Sequence, residues 1–156
     1  MYVPLVTPRS ELAYFDAQSL AVPREISALD AWNLAMRKPI PGMAAAMWLR
    51  DRISGLFGVA PIKGFSGTRR DTAKIGDKLD FFLVEDIAAQ LLVLTARDRH
   101  LDVMTTVTTY DRVLTITSSV ITHNWFGRAY MLPVGIAHKG IVWWTLRKIK
   151  AQMAAV

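Results

Sequence analysis

The 156-residue chain contains no cysteine. Disulfides, thiolate metal sites and a cysteine nucleophile are therefore excluded, and stability must come from a packed core. With 52% hydrophobic and 21% charged residues, there is enough apolar material for one domain, residues 1–156, to fold without staples. Long uncharged apolar runs are missing as well. The most apolar stretch, GRAYMLPVGIAHKGIVWWTLRKI from Gly127 to Ile149, is broken by His138, Lys139, Arg147 and Lys148. A membrane-spanning helix needs roughly 18 consecutive apolar residues, so no membrane span is expected. The first ten residues, MYVPLVTPRS, carry two prolines and no apolar segment of signal-peptide type; the cytoplasm is the expected location.

Catalytic signatures are also scarce. No serine occupies a nucleophile-elbow motif, and GFSG at 64–67 is too short for a phosphate cradle. The net charge is +6, but the lysines and arginines are spread from Arg9 to Lys150 with no dense basic run alternating with aromatics. Nucleic acid is therefore not an expected partner. The densest basic segment, Lys63 to Lys78, contains three glycines and reads as a loop.

What is present is periodicity. After Pro133, at about 100° per residue, Val134, Ala137, Ile141, Val142, Trp144, Leu146, Ile149 and Met153 fill one arc, and Lys139, Arg147 and Lys150 the opposite side. This pattern predicts a core-packing helix with a cationic outer edge. His138 falls inside the apolar arc, either as a hydrogen-bonded core histidine or facing a ligand. Trp143 falls outside it, either stacked on lysine and arginine stems or touching a second subunit. Gly135 and Gly140 each cost a helix about 1 kcal/mol relative to alanine, which suggests either close approach of another backbone or an imperfect first turn.

Upstream, DAQSLAVP (16–23) predicts a short strand. Ser27 reads as the N-cap of a helix ended by Pro39. A second helix, from Pro41 to about Gly58, is expected to turn Ala46, Leu49, Ile53, Leu56 and Phe57 toward the core. From Leu79 the period changes to that of strands, at about 79–85, 88–96, 100–110 and 113–123, with an extended piece at 125–131. Consecutive strands with short connections imply an antiparallel sheet, and the order of elements an α+β fold.

A two-residue turn at Asp111 and Arg112 would pair Tyr110 with Val113. Leu101, Val103, Val107, Leu114, Ile116 and Val120 then form the core face. His100, Asp102, Thr106, Thr108, Thr115, Thr117, Ser119 and His123 form the other, expected to be solvated. This register sets His100 opposite His123 with Asp102 alongside, a possible polar cluster able to orient an imidazole or, less specifically, to hold a divalent metal. No third ligand from another strand accompanies it, so no metal is expected.

DRHLDVMTTV (98–107) followed by SSVITHNWFGRAYMLPVGIAHKGIVWWTLRK (118–148) resembles the bacterial domain-of-unknown-function family 2867, found alone or behind a short-chain-reductase-like domain. The resemblance extends through the Asp16 strand, Trp32, Pro39 and LRDRISGLFG. Where the family typically has HLDFR this chain has HLDVM, and Ile136 and Ala137 replace a proline and an aromatic before the histidine. By position, the family's recurring polar residues fall on His100, Asp102, Asn124, Gly127, Arg128, Tyr130 and His138. That recurrence would turn His100 and Asp102 toward a cavity, whereas strand alternation turns them to solvent.

The element order is also similar to that of the helix-grip superfamily of lipid-transfer and polyketide-cyclase-like domains. The resemblance implies a curved antiparallel sheet wrapped around a long C-terminal helix, with two short helices after the first strand. It also implies a cavity for a small apolar ligand between sheet and helix, near His138, Tyr130, Met104, Trp144 and Arg128. Binding of such a molecule, with His138 a possible acid or base, is one expected function. The alternative is a non-enzymatic interaction domain, a possible homodimer or an accessory to a reductase. No cofactor is expected for either.

Overall fold

The computed structural model describes residues 2–155 apart from Ala60 and Lys63. Its elements are a 3₁₀ turn at Arg9–Glu11, β1 (Tyr14–Ala21), α1 (Ala28–Arg37), α2 (Met43–Gly55), β2 (Lys78–Leu79), β3 (Phe82–Ala88), β4 (Leu91–Arg97), β5 (Leu101–Tyr110), β6 (Val113–Thr122) and α3 (Trp125–Ala154). The strands form one antiparallel sheet in the order β1-β6-β5-β4-β3-β2. Strands β2 to β6 meander by short turns, and β1 closes the β6 edge. The fold is α+β and helix-grip-like, as the element order implies.

Local chemistry explains most boundaries. Ser27 caps α1, its Oγ accepting from the Asp30 N–H at 3.0 Å. Tyr110 pairs with Val113, and the turn between them holds Asp111 and Arg112 at φ 52° and 58°, the left-handed pair that suits the twist of a two-residue hairpin. A bulge after Val84 shifts the register by one, so that Val84 and Ile87, three residues apart, both face the helices.

On that face Leu92, Leu94, Val107, Leu114 and Ile116 pack against Ala28, Ala31, Trp32 and Ala35 of α1 and Val142, Leu146, Ile149 and Met153 of α3. Lys148 joins the two helices, its ammonium donating to the Ala35 carbonyl at 2.6 Å and so completing the C-terminus of α1.

Three expectations are corrected. Residues 125–131 are helical rather than extended, because α3 starts at Trp125, where the Asn124 side chain accepts from the Gly127 N–H at 3.0 Å. Pro133 then lies inside the helix; tertiary contacts on both sides of it outweigh the lost backbone bond. The outer sheet face is not solvated throughout. Residues 3–7 cross it, with Thr106 Oγ1 donating to the Pro4 carbonyl at 3.1 Å and the Val6 N–H to Ser119 Oγ at 3.1 Å, and Thr106, Thr117 and Ser119 are buried. Third, α2 does not bury its apolar side. Ala46 is exposed, Leu49, Ile53, Leu56 and Phe57 are 42 to 84% exposed, and Ser54 is its one buried residue.

Candidate polar site between the sheet and the long helix

Strand alternation and the register Tyr14↔Val120, Asp16↔Ser118 and Gln18↔Ile116 place Tyr14, Asp16 and Gln18 on the helix-facing side of β1. Above them run Gly135, His138 and Lys139 of α3. A Cβ built at Gly135 would lie 3.0 Å from the Tyr14 ring, so this glycine admits the phenol beneath the helix. At Gly140 a Cβ would meet nothing within 4 Å; neither glycine admits another backbone, and only the first admits a close neighbour, the Tyr14 ring.

The Tyr14 hydroxyl donates to the Gly135 carbonyl at 3.2 Å and lies 3.4 Å from His138 Nδ1, with the two rings edge to face at 5.8 Å. When the phenolic proton points to the Gly135 carbonyl, the imidazole contact uses the tautomer with Nδ1–H as donor. That tautomer leaves the Nε2 lone pair without a hydrogen bond among the described residues. Gln18 Nε2 donates to Asp16 Oδ2 at 2.7 Å and to the Lys139 carbonyl at 3.0 Å. Ser118, paired with Asp16, is 2% exposed, and its Oγ has no hydrogen-bond partner among the described residues.

Electrostatics separates the groups. Burial pushes the Tyr14 phenol up to about 12, with a further rise from the Asp16 carboxylate. Burial lowers the His138 pKa below its ordinary value, opposed in part by the attraction of Asp16. At neutral pH the site therefore holds a neutral phenol and a neutral imidazole with a bare Nε2. Such an imidazole can accept a hydrogen bond or a proton from a hydroxyl group.

Of the residues expected at a ligand site, His138 alone enters this cluster. Tyr130 lies nearer the start of α3, its hydroxyl accepting from Arg50 Nε at 3.1 Å and its ring over Phe126. Arg128 is exposed. Met104 pairs with Thr95 and Ser119 on the opposite sheet face, beside the residue 3–7 segment. Trp144, placed in the core arc by periodicity, is 48% exposed.

The His100, Asp102 and His123 grouping divides in two. Backbone pairing holds, with the His123 N–H donating to the His100 carbonyl at 2.8 Å. Asp102 faces outward and bridges His123 Nε2 at 3.1 Å and Arg97 Nη1 at 3.2 Å. His100 is instead buried against Phe126, Nε2 accepting from Arg99 at 3.1 Å and Nδ1 facing the Asn124 amide, 2.8 Å from its Nδ2 and 3.2 Å from its Oδ1. It fastens the start of β5 to the first turn of α3. A Cβ at Gly127 would overlap the His100 carbonyl oxygen, which explains a glycine three residues into the helix. No three histidine, aspartate or glutamate side chains among the described residues gather at metal-binding distance.

Tyr14, Asp16, Gln18 and Ser118 were not legible as site residues in the sequence. Polar, small and apolar residues occupy both alternating faces of β1, so its inward side is undetermined until its pairing with β6 is known. Two surface depressions of about 310 and 320 Å³ lie elsewhere, one by Ser27, Asn33 and Arg69, the other by Phe65, Ser66 and Phe81.

Fold and cluster together define an α+β domain whose C-terminal helix covers a half-buried tyrosine, carboxylate and imidazole. The chain belongs to the family described as protein of unknown function (DUF2867), whose model matches residues 9–145. No curated protein and no solved structure matches it. Among the described residues no helix is long and apolar enough to cross a membrane.

Proposed function

We propose that this domain binds a small, mainly apolar molecule between the sheet and α3 and holds its polar end with His138, Tyr14 and Asp16. The observation that carries the reading is the cluster itself. A phenol, a carboxylate, an imidazole Nε2 and the Ser118 hydroxyl, the last two without a hydrogen-bond partner among the described residues, meet at a helix–sheet interface whose core is mainly apolar. A buried hydroxyl such as that of Ser118 costs stability unless it is satisfied, and a ligand hydroxyl or carbonyl between it and the half-buried His138 would complete the set. The helix-facing residues Leu101, Val103 and Thr105 of β5 are also only partly buried, leaving apolar surface beside the polar end.

This reading aligns the family with helix-grip domains that enclose apolar ligands, working in the cytoplasm without a cofactor. Conversion of the ligand would use His138 Nε2 as the proton acceptor. Native mass spectrometry of freshly purified protein against the denatured sample tests the proposal. The expected result is an extra mass of a few hundred daltons that disappears on denaturation and is lost in His138→Ala and Tyr14→Phe. A ligand retained equally by both variants would remove the cluster from the binding site.

A further inference from the structure

Charge is distributed unevenly along this chain. All thirteen aspartates and glutamates lie at or before Asp111. Up to that residue they are matched by thirteen lysines and arginines, so the whole net charge of +6 belongs to residues 112–156. Apart from Arg112, these cations are on α3: Arg128, Lys139, Arg147, Lys148 and Lys150. Lys148 is held by the carbonyls of Ala35 and Lys38; Arg128, Lys139, Arg147 and Lys150 are exposed.

The same side of α3 presents large apolar groups to solvent. Trp125, Leu132, Ile136 and Trp143 are 69, 73, 79 and 49% exposed. Spaced by seven, four and seven residues, they lie within about 40° of one another around the helix and extend about 27 Å along it. The Trp143 ring carries the Arg147 guanidinium at 4.2 Å. At the other end Trp125 meets Phe57, which continues the apolar surface onto the exposed Trp48, Leu49 and Ile53 of α2.

We propose that this face docks on an anionic lipid bilayer, with α3 lying in the interface plane. The partner must be apolar and negatively charged over the same area. A bilayer containing acidic headgroups meets both conditions: tryptophans and aliphatic side chains enter the headgroup boundary while lysine and arginine stems reach the phosphates. A second copy fits less well. Antiparallel pairing of two α3 stripes would match Trp125 with Trp143 and Leu132 with Ile136, but would also bring Arg128 beside Lys139 of the other copy with no acidic residue on either helix to offset them. Nucleic acid would satisfy the charges but leave Leu132 and Ile136 in water.

The test is cosedimentation with vesicles of phosphatidylcholine and phosphatidylglycerol at 3:1, against phosphatidylcholine alone, at 50 and 500 mM NaCl. The protein is expected to bind only the anionic vesicles, with a blue shift in tryptophan emission, and to dissociate at high salt. Ile136→Asp, and separately Lys139→Glu with Arg147→Glu, should each weaken partitioning at least about tenfold. These side chains are exposed, so circular dichroism should be unchanged. Absence of binding to the anionic vesicles, or equal binding by the variants, would overturn the proposal. So would a dimer in sedimentation velocity that tightens with salt and is dissociated by Ile136→Asp, which would assign the face to a second copy.

Discussion

The two helical glycines at 127 and 140 should respond in opposite directions to the same substitution. At Gly140 an added methyl group meets nothing within 4 Å, so Gly140→Ala removes only the flexibility of glycine from a helix interior. The gain is up to about 1 kcal/mol. At Gly127 the Cβ would run into the His100 carbonyl oxygen, which already accepts the His123 N–H at 2.8 Å. Moving that carbonyl breaks a hydrogen bond worth about 1 kcal/mol and strains a packed strand–helix junction by roughly 1–3 kcal/mol. The helical gain is smaller there because Gly127 is in the first turn, so the net loss is about 2 kcal/mol. For a chain of this length, with roughly 2–4 °C in Tm per kcal/mol, Gly127→Ala should melt roughly 4–8 °C lower and Gly140→Ala a few degrees higher. Urea unfolding followed by far-ultraviolet circular dichroism gives both differences. If the two variants shift together in either direction, the close approach of His100 to the first turn of α3 does not constrain the fold.

His138 makes stability depend on pH with a defined sign. Its pKa is depressed in the folded state, so as pH falls below the ordinary histidine value the unfolded chain binds the proton first and stability drops. Wild type should therefore lose stability between pH 7 and 5 more steeply than His138→Gln, and parallel slopes in urea titrations would contradict a neutral imidazole held under α3. Arg112 occupies a left-handed conformation that glycine adopts without strain, so Arg112→Gly should stabilise the protein by about 0.5–1 kcal/mol; a loss would mean that its side chain contributes more than its backbone costs.

Much of the fold is legible in the sequence because its signals are local. Ser27 announces a helix start through its own hydroxyl, Tyr110 and Val113 flank a turn of two residues, and aliphatic residues alternate with threonine from Leu114 to Thr117 of β6. Misreadings occur where distant segments decide the outcome. Gly127 and Pro133 disfavour a helix by propensity, yet Asn124, His100 and Tyr14 hold one around them. Thr106 and Ser119 look solvent-facing until residues 3–7, more than 95 positions away, are laid across them. In the polar site, His138 stands out because it interrupts an apolar arc. Its partners Tyr14 and Asp16 lie about 120 residues earlier on a strand with no clear apolar face, so only the β1–β6 pairing identifies them. His100 has the right backbone neighbour but an unexpected environment: strand alternation gives the side of a residue within a strand and fails at the position just before one.

The pairing of β1 with β6 also bears on synthesis. The first strand to leave the ribosome meets its hydrogen-bonding partner only after β6 has been made, and residues 4 and 6 wait for Thr106 and Ser119 in the same way. Until then β1 and the preceding segment have no sheet to join, while the hairpins of β3 through β6 can form from neighbouring residues. Closure of the β1 edge should therefore be late and slow. A ribosome stalled before residue 113 should carry a nascent chain whose N-terminal segment is still open to protease and to chaperones.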